Sequence, residues 1–311
     1  MSFVEEKDFQ VSLADLKLQH PIMNAAGTCR SIEEVEELAS SPVSAIMVGS
    51  ITCESRNGNG GNVFWTSPDG QFSINANGLP NRGIDFYKRA LPKMADIAHK
   101  ANKLLFVSVA GFSPEQYGLL TQKAFQLGAD IIELNLSCPN VWSEGIQKII
   151  SCFDEELLFA TISEITDSVQ EESRVGVKIS PFSDYFLLEN IAGLLGNWRL
   201  IKFVTVCNTF PNGFALDEKG KPVITFGDGY GGLSGPALKP IALGQVKWLR
   251  DLLPEWIDII GCGGIATGKD VADFLVAGAT AVQVGTAFLN GGVKVFDKIL
   301  SEYVDIAIKA M

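Results

Sequence analysis

The sequence predicts a (β/α)₈ barrel, or TIM barrel, with two long insertions at its C-terminal face. Eight short β-rich segments recur along the 311 residues, and most are continuously apolar, as parallel strands covered on both faces are. Amphipathic stretches with a helical period separate them, whereas an open doubly wound sheet usually stops at about five or six strands. Residues 1–311 are therefore expected to form a single barrel domain.

The strands and helices alternate along the chain. The predicted strands lie, in order, at residues 22–27, 45–52, 104–111, 130–138, 175–180, 203–209, 258–265 and 281–287. The predicted helices between them include residues 31–40, 113–128, 154–170 and 240–253. Each of these helical stretches begins with serine, aspartate or proline, which are preferred as N-caps or first-turn residues.

Two connections are too long to be plain loops. The first, residues 54–83, contains Pro68-Asp69-Gly70, which predicts a hairpin. The second, residues 210–237, contains Glu218-Lys219-Gly220 between two candidate strands. Both connections follow strands, so both are predicted to lie at the mouth of the barrel, where barrel enzymes carry their chemistry.

The composition excludes several classes of partner. The net charge of −11 provides no basic surface for nucleic acid or anionic lipid. No apolar run approaches the ~18–20 residues that cross a bilayer, and the N-terminal segment is acidic where a secretory signal would be basic. The six cysteines include no C-x-x-C pair, so they are interpreted as free thiols. We therefore expect a cytoplasmic protein with a small-molecule substrate, and no membrane, nucleic-acid or metal partner.

Polar residues occur where the predicted strands end. Asn135, Asn140 and Asn208 lie at such ends, and with Asn75 they could match the alternating N–H and C=O edge of a cyclic amide. Lys178 ends an apolar strand and must reach an anion, an electron-rich ring or water, because an unpaired buried ammonium is unfavourable. Both observations have a structural alternative. Single asparagines are more often turn or cap residues, and a strand lysine can be snorkelling or salt-bridged.

Cys138 and two glycine-rich turns complete the candidates. Cys138 lies between Ser137 and Pro139 at the mouth, where a thiol can act as a general base, although a buried free cysteine is commonly a small apolar residue. The glycines of "GCGGIATGKD" and "VGTAF" follow the seventh and eighth strands, where many barrels bind phosphate on main-chain N–H groups. They predict a phosphate-bearing cofactor. His20 and His99 lie away from the strand ends, so a Cys–His nucleophile pair is not supported.

Together these motifs resemble dihydroorotate dehydrogenase. The matching stretches follow in order through nearly the whole chain and are "MNAAG", "SINANGLPN", "NLSCPN", "GVKIS", "CNT", "GYGGLSGPALKPIAL", "GCGGI" and "VQVGTAF". Cys138 stands where the membrane-bound class has serine, and a cysteine at this position resembles the soluble class 1 enzymes. The segment "SINANGLPNRGIDFYK" resembles the homodimeric, fumarate-reducing class 1A, whereas "GGLSGPALKPIAL" is shared with class 1B, which passes electrons to NAD through a partner subunit. We favour class 1A.

The resemblance implies FMN and the oxidation of dihydroorotate to orotate in de novo pyrimidine biosynthesis, with fumarate as the acceptor. It implies two catalytic residues: Cys138 removes a proton while hydride leaves for the flavin, and Lys178 lies by the flavin N1/O2 edge. The implied cofactor-binding residues are Ala25, Ala26, Gly27, Gly49, Ser50, Asn75, Asn135, Lys178, Asn208, Gly231, Gly232, Cys262, Gly263, Gly264, Gly285 and Thr286. The implied substrate-binding residues are Asn75, Asn77, Gly78, Leu79, Asn135, Asn140, Asn208 and Thr209.

Several residues depart from the family pattern, all on the substrate side. Gly49 stands where the family has a lysine that touches the flavin and the orotate carboxylate. Val63 stands in place of an arginine, although Arg56 is retained. Asn77 replaces a methionine, and Trp142-Ser143 replaces Pro-Gly. One cation is therefore missing, and Gly49→Lys is expected to tighten orotate binding if this missing cation is the sole defect.

Three alternatives remain open from the sequence. An FMN oxidoreductase of the same family can act on a different small molecule. A flavin-binding protein without dihydroorotate turnover can remain after the loss of the cation. A phosphate-binding barrel lyase or isomerase would carry no flavin. The flavin glycines and Lys178 match the family pattern, so FMN binding is better supported than dihydroorotate turnover.

Overall fold

Eight parallel strands form the barrel that the sequence predicts. The computed structural model describes residues 9–143 and 146–310, so the acidic N-terminal residues 1–8 lie outside it. The strands of the described residues are β1 (Val11–Leu13), β2 (Leu16–Leu18), β3 (Ile22–Asn24), β4 (Ala45–Ile51), β5 (Phe64–Thr66), β6 (Ser73–Asn75), β7 (Leu104–Val109), β8 (Ile131–Asn135), β9 (Trp142–Ser143), β10 (Ile146–Gln147), β11 (Val175–Ile179), β12 (Ile201–Val206), β13 (Phe210–Gly213), β14 (Gly231–Ser234), β15 (Asp258–Cys262) and β16 (Ala281–Val284). The helices are α1 (Ile32–Ala39), α2 (Gly83–Lys100), α3 (Pro114–Gln126), α4 (Glu155–Ser168), α5 (Tyr185–Gly196), α6 (Lys239–Leu252), α7 (Gly268–Val276), α8 (Thr286–Gly291) and α9 (Lys294–Ala310). The barrel sheet runs in the order β3-β16-β15-β12-β11-β8-β7-β4 with helices between consecutive strands, which confirms the predicted fold class.

A side chain closes the gap between the first and last strands of this order. The Asn24 Nδ2 donates to the Met47 carbonyl at 2.9 Å, and the Asn24 Oδ1 accepts from the Met47 N–H at 2.9 Å. The Ser44 N–H also donates to the Ile22 carbonyl at 3.0 Å. Since Asn24 is fully buried, its carboxamide replaces a stretch of main-chain ladder between β3 and β4.

The interior of the barrel has an apolar floor. Alternate residues of a strand face the same side, so every second residue of each barrel strand points inward. Phe106, Ile131 and Phe203 are buried together at the N-terminal end, and the rings of Phe106 and Phe203 meet edge to face with centroids 6.2 Å apart. Leu13 and Leu18 of the β1–β2 hairpin pack against them. The hairpin therefore covers the bottom of the barrel.

A polar layer lies directly above this floor. Two residues further along β7, β8, β12 and β16 stand Ser108, Glu133, Thr205 and Gln283, and all four are fully buried. Buried polar groups require hydrogen-bond partners, and these residues bond to one another or to residues of the next layer. The layer therefore holds in place the side chains that follow it at the mouth of the barrel.

Three of the predicted helices begin with the side-chain caps that the sequence predicts. Ser31 forms a capping box with Glu34 at the start of α1, and Ser113 and Asp154 accept main-chain hydrogen bonds at the starts of α3 and α4. Helix α6 has no side-chain cap and begins instead with Pro240 in its first turn. Within the described residues, no helix is long and apolar enough to cross a membrane.

The two insertions meet in one sheet above the barrel. Strands β5, β6, β13 and β14 form a four-stranded antiparallel sheet in the order β13-β14-β6-β5. The predicted hairpin at Pro68-Asp69-Gly70 joins β5 to β6, and the Gly70 N–H donates to the Ser67 carbonyl at 2.8 Å. This sheet places Asn75, at the end of β6, above the mouth.

The second insertion contributes two paired strands, one on each side of Glu218-Lys219-Gly220, as predicted. Glu218-Lys219-Gly220 does form a turn, closed by the Asp217 N–H on the Lys221 carbonyl at 2.8 Å, but only a single bridge between Leu216 and Pro222 flanks it. Pro222 has no N–H to extend a ladder, and the Asp217 carboxylate takes the N–H groups of Lys219 and Lys221. The strands of this insertion are β13 and β14, on either side of the turn region.

His20 makes the stability of the fold depend on pH. Its side chain is 7% exposed below the barrel, with Nε2 at 2.6 Å from the Pro42 carbonyl and Nδ1 accepting from the Ile22 N–H at 3.2 Å. Burial lowers the pKa of His20 from 6.5 to about 4, against the opposing effect of the Pro42 hydrogen bond. The ring is therefore neutral in the folded protein at neutral pH.

We expect His20 to contribute to acid unfolding. The unfolded chain takes up a proton below pH 6.5 and the folded chain only near pH 4, so stability is retained above pH 6.5 and falls by about 3 kcal/mol between these values. The free energy of unfolding in urea, measured from pH 7 to pH 4, should fall less steeply in His20→Gln than in the unmodified protein. Parallel curves for the two proteins would contradict this prediction.

Candidate active site

A cavity of about 300 Å³ lies at the C-terminal ends of the barrel strands. Residues at or just after the ends of β3, β4, β8, β11, β12, β15 and β16 line it, and the insertions cover it from above. The sequence-predicted site residues in this lining are Ala25, Ala26, Gly27, Ser50, Asn75, Asn77, Gly78, Leu79, Asn135, Cys138, Asn140, Lys178, Asn208, Thr209, Cys262, Gly263, Gly264, Gly285 and Thr286. Gly49, Gly231 and Gly232 are not in the lining.

Gly49 is a backbone requirement of β4. Its φ is +96°, and an added Cβ would lie 2.5 Å from the Ser108 carbonyl oxygen and 2.9 Å from the Ile51 nitrogen. The pairing of β4 with β7 shifts register between Val48 and Ile51, which surround this glycine. A lysine here would strain the backbone and strike β7, so Gly49→Lys is not expected to supply a cation. This corrects the expectation drawn from the sequence.

Gly231 and Gly232 support the cavity from behind. The Gly232 carbonyl accepts from the Asn75 Nδ2 at 3.3 Å, and a Cβ at Gly232 would lie 1.9 Å from the Thr209 Oγ1. At Gly231, a Cβ would lie 2.6 Å from the Asn75 carbonyl oxygen. The two glycines therefore leave the space in which Asn75 and Thr209 face the cavity.

Four asparagines face the cavity in two pairs. The Asn140 Nδ2 donates to the Asn75 Oδ1 at 3.0 Å. The Asn135 Nδ2 donates to the Ser50 Oγ at 2.8 Å, and the Asn208 Nδ2 lies 3.4 Å from the Asn135 Oδ1. Because each carboxamide carries two donor N–H groups and an acceptor oxygen, these bonds leave capacity for a ligand.

Two further polar groups have no partner among the described residues. The Thr209 Oγ1 is buried without a hydrogen bond, and the Asn77 carboxamide makes none. A buried hydroxyl without a partner costs about 1–3 kcal/mol, so Thr209 fits a site in which a ligand completes its hydrogen bonding. The side chains of Trp142 and Ser143, which depart from the family pattern, lie outside the described part of the structure.

The Cys138 thiol lies in this lining beside the asparagines. Burial raises the pKa of Cys138 to about 11, although the Asn140 N–H and the charge of Arg56 both lower it. The Arg56 guanidinium is held by a hydrogen bond from Nε to the Gly78 carbonyl at 3.1 Å. At neutral pH the group is therefore a thiol with a small thiolate fraction, and donors near the sulfur already favour the thiolate.

Lys178 enters the cavity from β11. Its side chain is 4% exposed, and its Nζ donates to the Gln283 Oε1 at 2.9 Å and lies 3.7 Å from the Cys262 Sγ. Burial opposes the charge, but Cys262 and Glu133 raise the pKa of Lys178 above its usual value. The side chain is therefore an ammonium, and no carboxylate stands among the described residues of the cavity lining.

Glycines after β15 and β16 form a cradle of main-chain donors. Gly263 has φ +141° and Gly264 has φ +72°, and added Cβ atoms would lie 2.8 Å from Ala242 and 2.7 Å from Lys239. Among the described residues, nothing accepts a hydrogen bond from the N–H groups of Gly263, Gly264 or Gly285. Free N–H groups at this position of a barrel suit a phosphate.

Sequence reasoning missed several polar lining residues, of which Arg30 and Gln283 bear on the chemistry. Arg30, in the loop after β3, lines the cavity and donates from Nη2 to the Gly27 carbonyl at 2.6 Å. Gln283 is a polar residue in the apolar strand "AVQV". The glutamine within an apolar strand was an available signal, whereas Arg30, in the loop between β3 and α1, has none. No group of three or more histidine, cysteine or acidic residues in the described ranges could hold a metal ion.

The donor set fits an anionic flavin nucleotide. The cradle of N–H groups suits its phosphate, Lys178 suits the electron-rich edge of its ring, and the unpartnered Thr209 hydroxyl and the asparagines suit a second, heterocyclic ligand. Arg30 and Lys178 are the cations among the described residues of this lining.

Comparison with known proteins gives a consistent result. A family model described as dihydroorotate dehydrogenase matches residues 8–306. A probable dihydroorotate dehydrogenase A (fumarate) of Enterococcus faecalis is 35% identical over 302 residues, 96% of this chain and 94% of that protein. A dihydroorotate dehydrogenase (fumarate) of Kluyveromyces lactis is 36% identical over 300 residues, 96% of this chain and 92% of that protein. The crystal structure of a DHODH from Eimeria tenella in complex with ferulenol matches with a TM-score of 0.82 at 21% identity, covering 97% of this chain and 85% of that one, and shows the fold alone.

Proposed function

The chain belongs to the dihydroorotate dehydrogenase family, and from this premise we propose that it oxidises dihydroorotate to orotate with bound FMN and passes the electrons to fumarate. This is a step of de novo pyrimidine biosynthesis. Relatives named for fumarate support the acceptor. The observation that carries the proposal is that the Cys138 thiol and the Lys178 ammonium line one cavity together with four asparagines.

The FMN site draws on three parts of the lining. Gly263, Gly264 and Gly285 would donate main-chain N–H groups to the phosphate. Ala25, Ala26, Gly27 and Lys178 would hold the ring. Bound FMN would supply a hydride acceptor. The positive charge of Lys178 would favour the reduced ring.

The substrate site lies beside it. The carboxamides of Asn75, Asn135, Asn140 and Asn208, together with the Thr209 hydroxyl, bind the N–H and C=O edge of the pyrimidine. The main-chain N–H groups of residues 77–79 add donors. Cys138, as thiolate, accepts the proton from the ring carbon next to a carbonyl while hydride leaves the adjacent carbon. Holding the substrate in one orientation makes these two departures possible in one complex.

Arg30 is the cation we assign to the substrate carboxylate. Gly49 supplies none, and Lys178 is engaged by Gln283 and Cys262. The Arg30 guanidinium donates one N–H to the Gly27 carbonyl. Its other N–H groups have no partner among the described residues and are available to bind an anion. Arg30 therefore compensates for the lysine that the family carries at position 49.

Arg30→Met is expected to weaken orotate binding about tenfold or more, because a charge-assisted contact is lost. FMN affinity should be unchanged. Orotate binding is measured by the perturbation of the flavin spectrum, and FMN binding by quenching of its fluorescence. Weaker FMN binding with unchanged orotate binding would assign Arg30 to the phosphate instead and contradict the prediction.

We also infer that residues 1–311 act as one FMN-binding domain in the cytoplasm, as a homodimer. Six free cysteines are typical of a reducing compartment. Phe214, Leu216 and Tyr230 expose apolar surface on the second insertion, where a second copy could cover it. Light scattering after size-exclusion chromatography tests the dimer.

One observation favours a second candidate, an FMN oxidoreductase of the same family that acts on another small molecule. The carboxamide of Asn77 faces the cavity with no hydrogen-bond partner in the described residues, in a place where the family carries an apolar methionine. A substrate with an additional polar group would satisfy it.

The experiment that tests the function is a turnover assay with purified protein. Orotate formation from dihydroorotate is followed with fumarate or NAD as acceptor. Orotate formed with fumarate supports the proposal. Rapid turnover of another donor from a panel of reduced cyclic amides, with none of dihydroorotate, would favour the second candidate.

A further inference from the structure

Glu133 is a carboxylate in the polar layer beneath the cavity. It is fully buried on β8, and its Oε2 accepts from the Thr205 Oγ1 at 2.7 Å and from the Gln283 Nε2 at 2.7 Å. Its other oxygen has no partner in the described residues. The proposed reaction does not use this side chain. A buried carboxylate is unfavourable unless it is paired, so its place in the barrel requires an explanation.

Gln283 connects Glu133 to Lys178. The Gln283 Oε1 accepts from the Lys178 Nζ at 2.9 Å, while its Nε2 donates to Glu133. A flipped carboxamide would turn its N–H groups toward the ammonium and its oxygen toward the carboxylate, so both hydrogen bonds would be lost. Glu133 and Lys178 therefore fix the orientation of the Gln283 carboxamide from opposite ends.

Glu133 also supplies negative charge to this cluster. The titratable groups that act on Lys178 from the neighbouring strands are Glu133 on β8, Cys207 after β12 and Cys262 on β15. Burial raises the pKa of Cys207 and of Cys262, so both are neutral thiols near pH 7. Among these groups, the Glu133 carboxylate is then the counter-charge of the ammonium.

Lys103 shows what burial does to a lysine of this chain without a carboxylate partner. Its Nζ donates to the carbonyls of Leu38 and Ser41, and burial lowers the pKa of Lys103 to about 8. Lys178 is at least as buried, at 4% exposed against 8%, yet its pKa is raised. The difference between the two sites is the cluster around Lys178, in which Cys262 and Glu133 raise its pKa against the effect of burial.

We propose that Glu133 is a positioning residue that acts through Gln283 to orient Lys178 toward the cavity and to keep it charged. Lys178 can then hold the anionic edge of a bound ring while the described cavity lining itself carries no carboxylate, which would repel the phosphate and the substrate. The inference rests on the proposed FMN site, because Glu133 reaches the ligand only through Lys178.

The test is the pH dependence of FMN binding to the apoprotein, measured by fluorescence quenching from pH 7 to pH 9. Glu133→Gln keeps the shape and a hydrogen-bond acceptor but removes the charge. The unmodified protein should bind FMN equally across this range. In Glu133→Gln the affinity should fall about tenfold or more toward pH 9, because Lys178 loses its proton.

The matched control is the double variant Glu133→Gln with Lys178→Met, in which FMN binding should not depend on pH. A loss of affinity that is equal at every pH, no loss at all, or a pH dependence that persists in the double variant would overturn the proposal. If circular dichroism shows that Glu133→Gln does not fold, Gln283→Met takes its place and must give the same pH-dependent loss, and no such loss overturns the proposal. An unmodified protein that does not bind FMN at any pH would overturn the proposed function, and this inference with it.

Discussion

Cys138→Ala is expected to slow the reduction of bound flavin by dihydroorotate about 10²–10⁴-fold while FMN remains bound, because a positioned general base contributes about this much. The sulfur lines the cavity beside Asn140 but forms no part of the glycine cradle, so its removal leaves the phosphate contacts intact. Anaerobic stopped-flow absorbance of the flavin measures the rate, and the bound FMN is quantified after release by denaturation.

The pH dependence of the same rate identifies the base. Because the pKa of Cys138 is raised to about 11, the thiolate is scarce at neutral pH, and its fraction grows about tenfold per pH unit up to that value. The rate in the unmodified protein should follow this slope from pH 7 to pH 9, and Cys138→Ala should lose it. Cys53→Ala is the matched control, since Cys53 is a partly buried thiol outside the cavity lining. Unchanged reduction in Cys138→Ala would refute the assignment.

Lys178→Met is expected to weaken the binding of reduced flavin, relative to that of oxidised flavin, about 100-fold, which lowers the midpoint potential by ~60 mV. It is also expected to slow flavin reduction about 10²–10³-fold. The physical reason is that the substitution removes a buried ammonium from the place where the flavin gains negative charge on reduction. Removing the charge also frees the Gln283 Oε1. Spectroelectrochemical titration measures the potential, and stopped-flow absorbance measures the rate.

Lys103→Met is the control for this prediction. Lys103 is also a buried lysine, but it bonds to the carbonyls of Leu38 and Ser41 and does not line the cavity. Its substitution should reduce stability without changing the flavin potential. A Lys178→Met protein with the potential of the unmodified protein would contradict the role given to Lys178.

The sequence was sufficient for the fold because the barrel strands are continuously apolar. Strands such as β7, "LLFVSV", and β11, "VGVKI", are covered on both faces, and their composition shows it. Residues of the barrel mouth could also be predicted, since a polar residue at the end of a buried apolar strand lies where the barrel opens. This is how Asn135, Cys138 and Lys178 were placed at the mouth.

The polar layer beneath the mouth could not be predicted in the same way. Glu133 and Gln283 are 150 residues apart, and only the register of eight strands brings them together. The role of Gly49 depends on a positive φ and a close approach of β7, which no local pattern reveals. Arg30 was missed because the loop after β3 shows no motif that distinguishes a lining arginine from an exposed one.

The most direct test of the account is an anaerobic titration of the FMN-loaded protein with dihydroorotate, followed by fumarate. We expect dihydroorotate to bleach the flavin absorbance with one equivalent per site and fumarate to restore it. A yellow protein that dihydroorotate leaves unbleached would contradict the central claim that this cavity holds FMN and dihydroorotate together for oxidation.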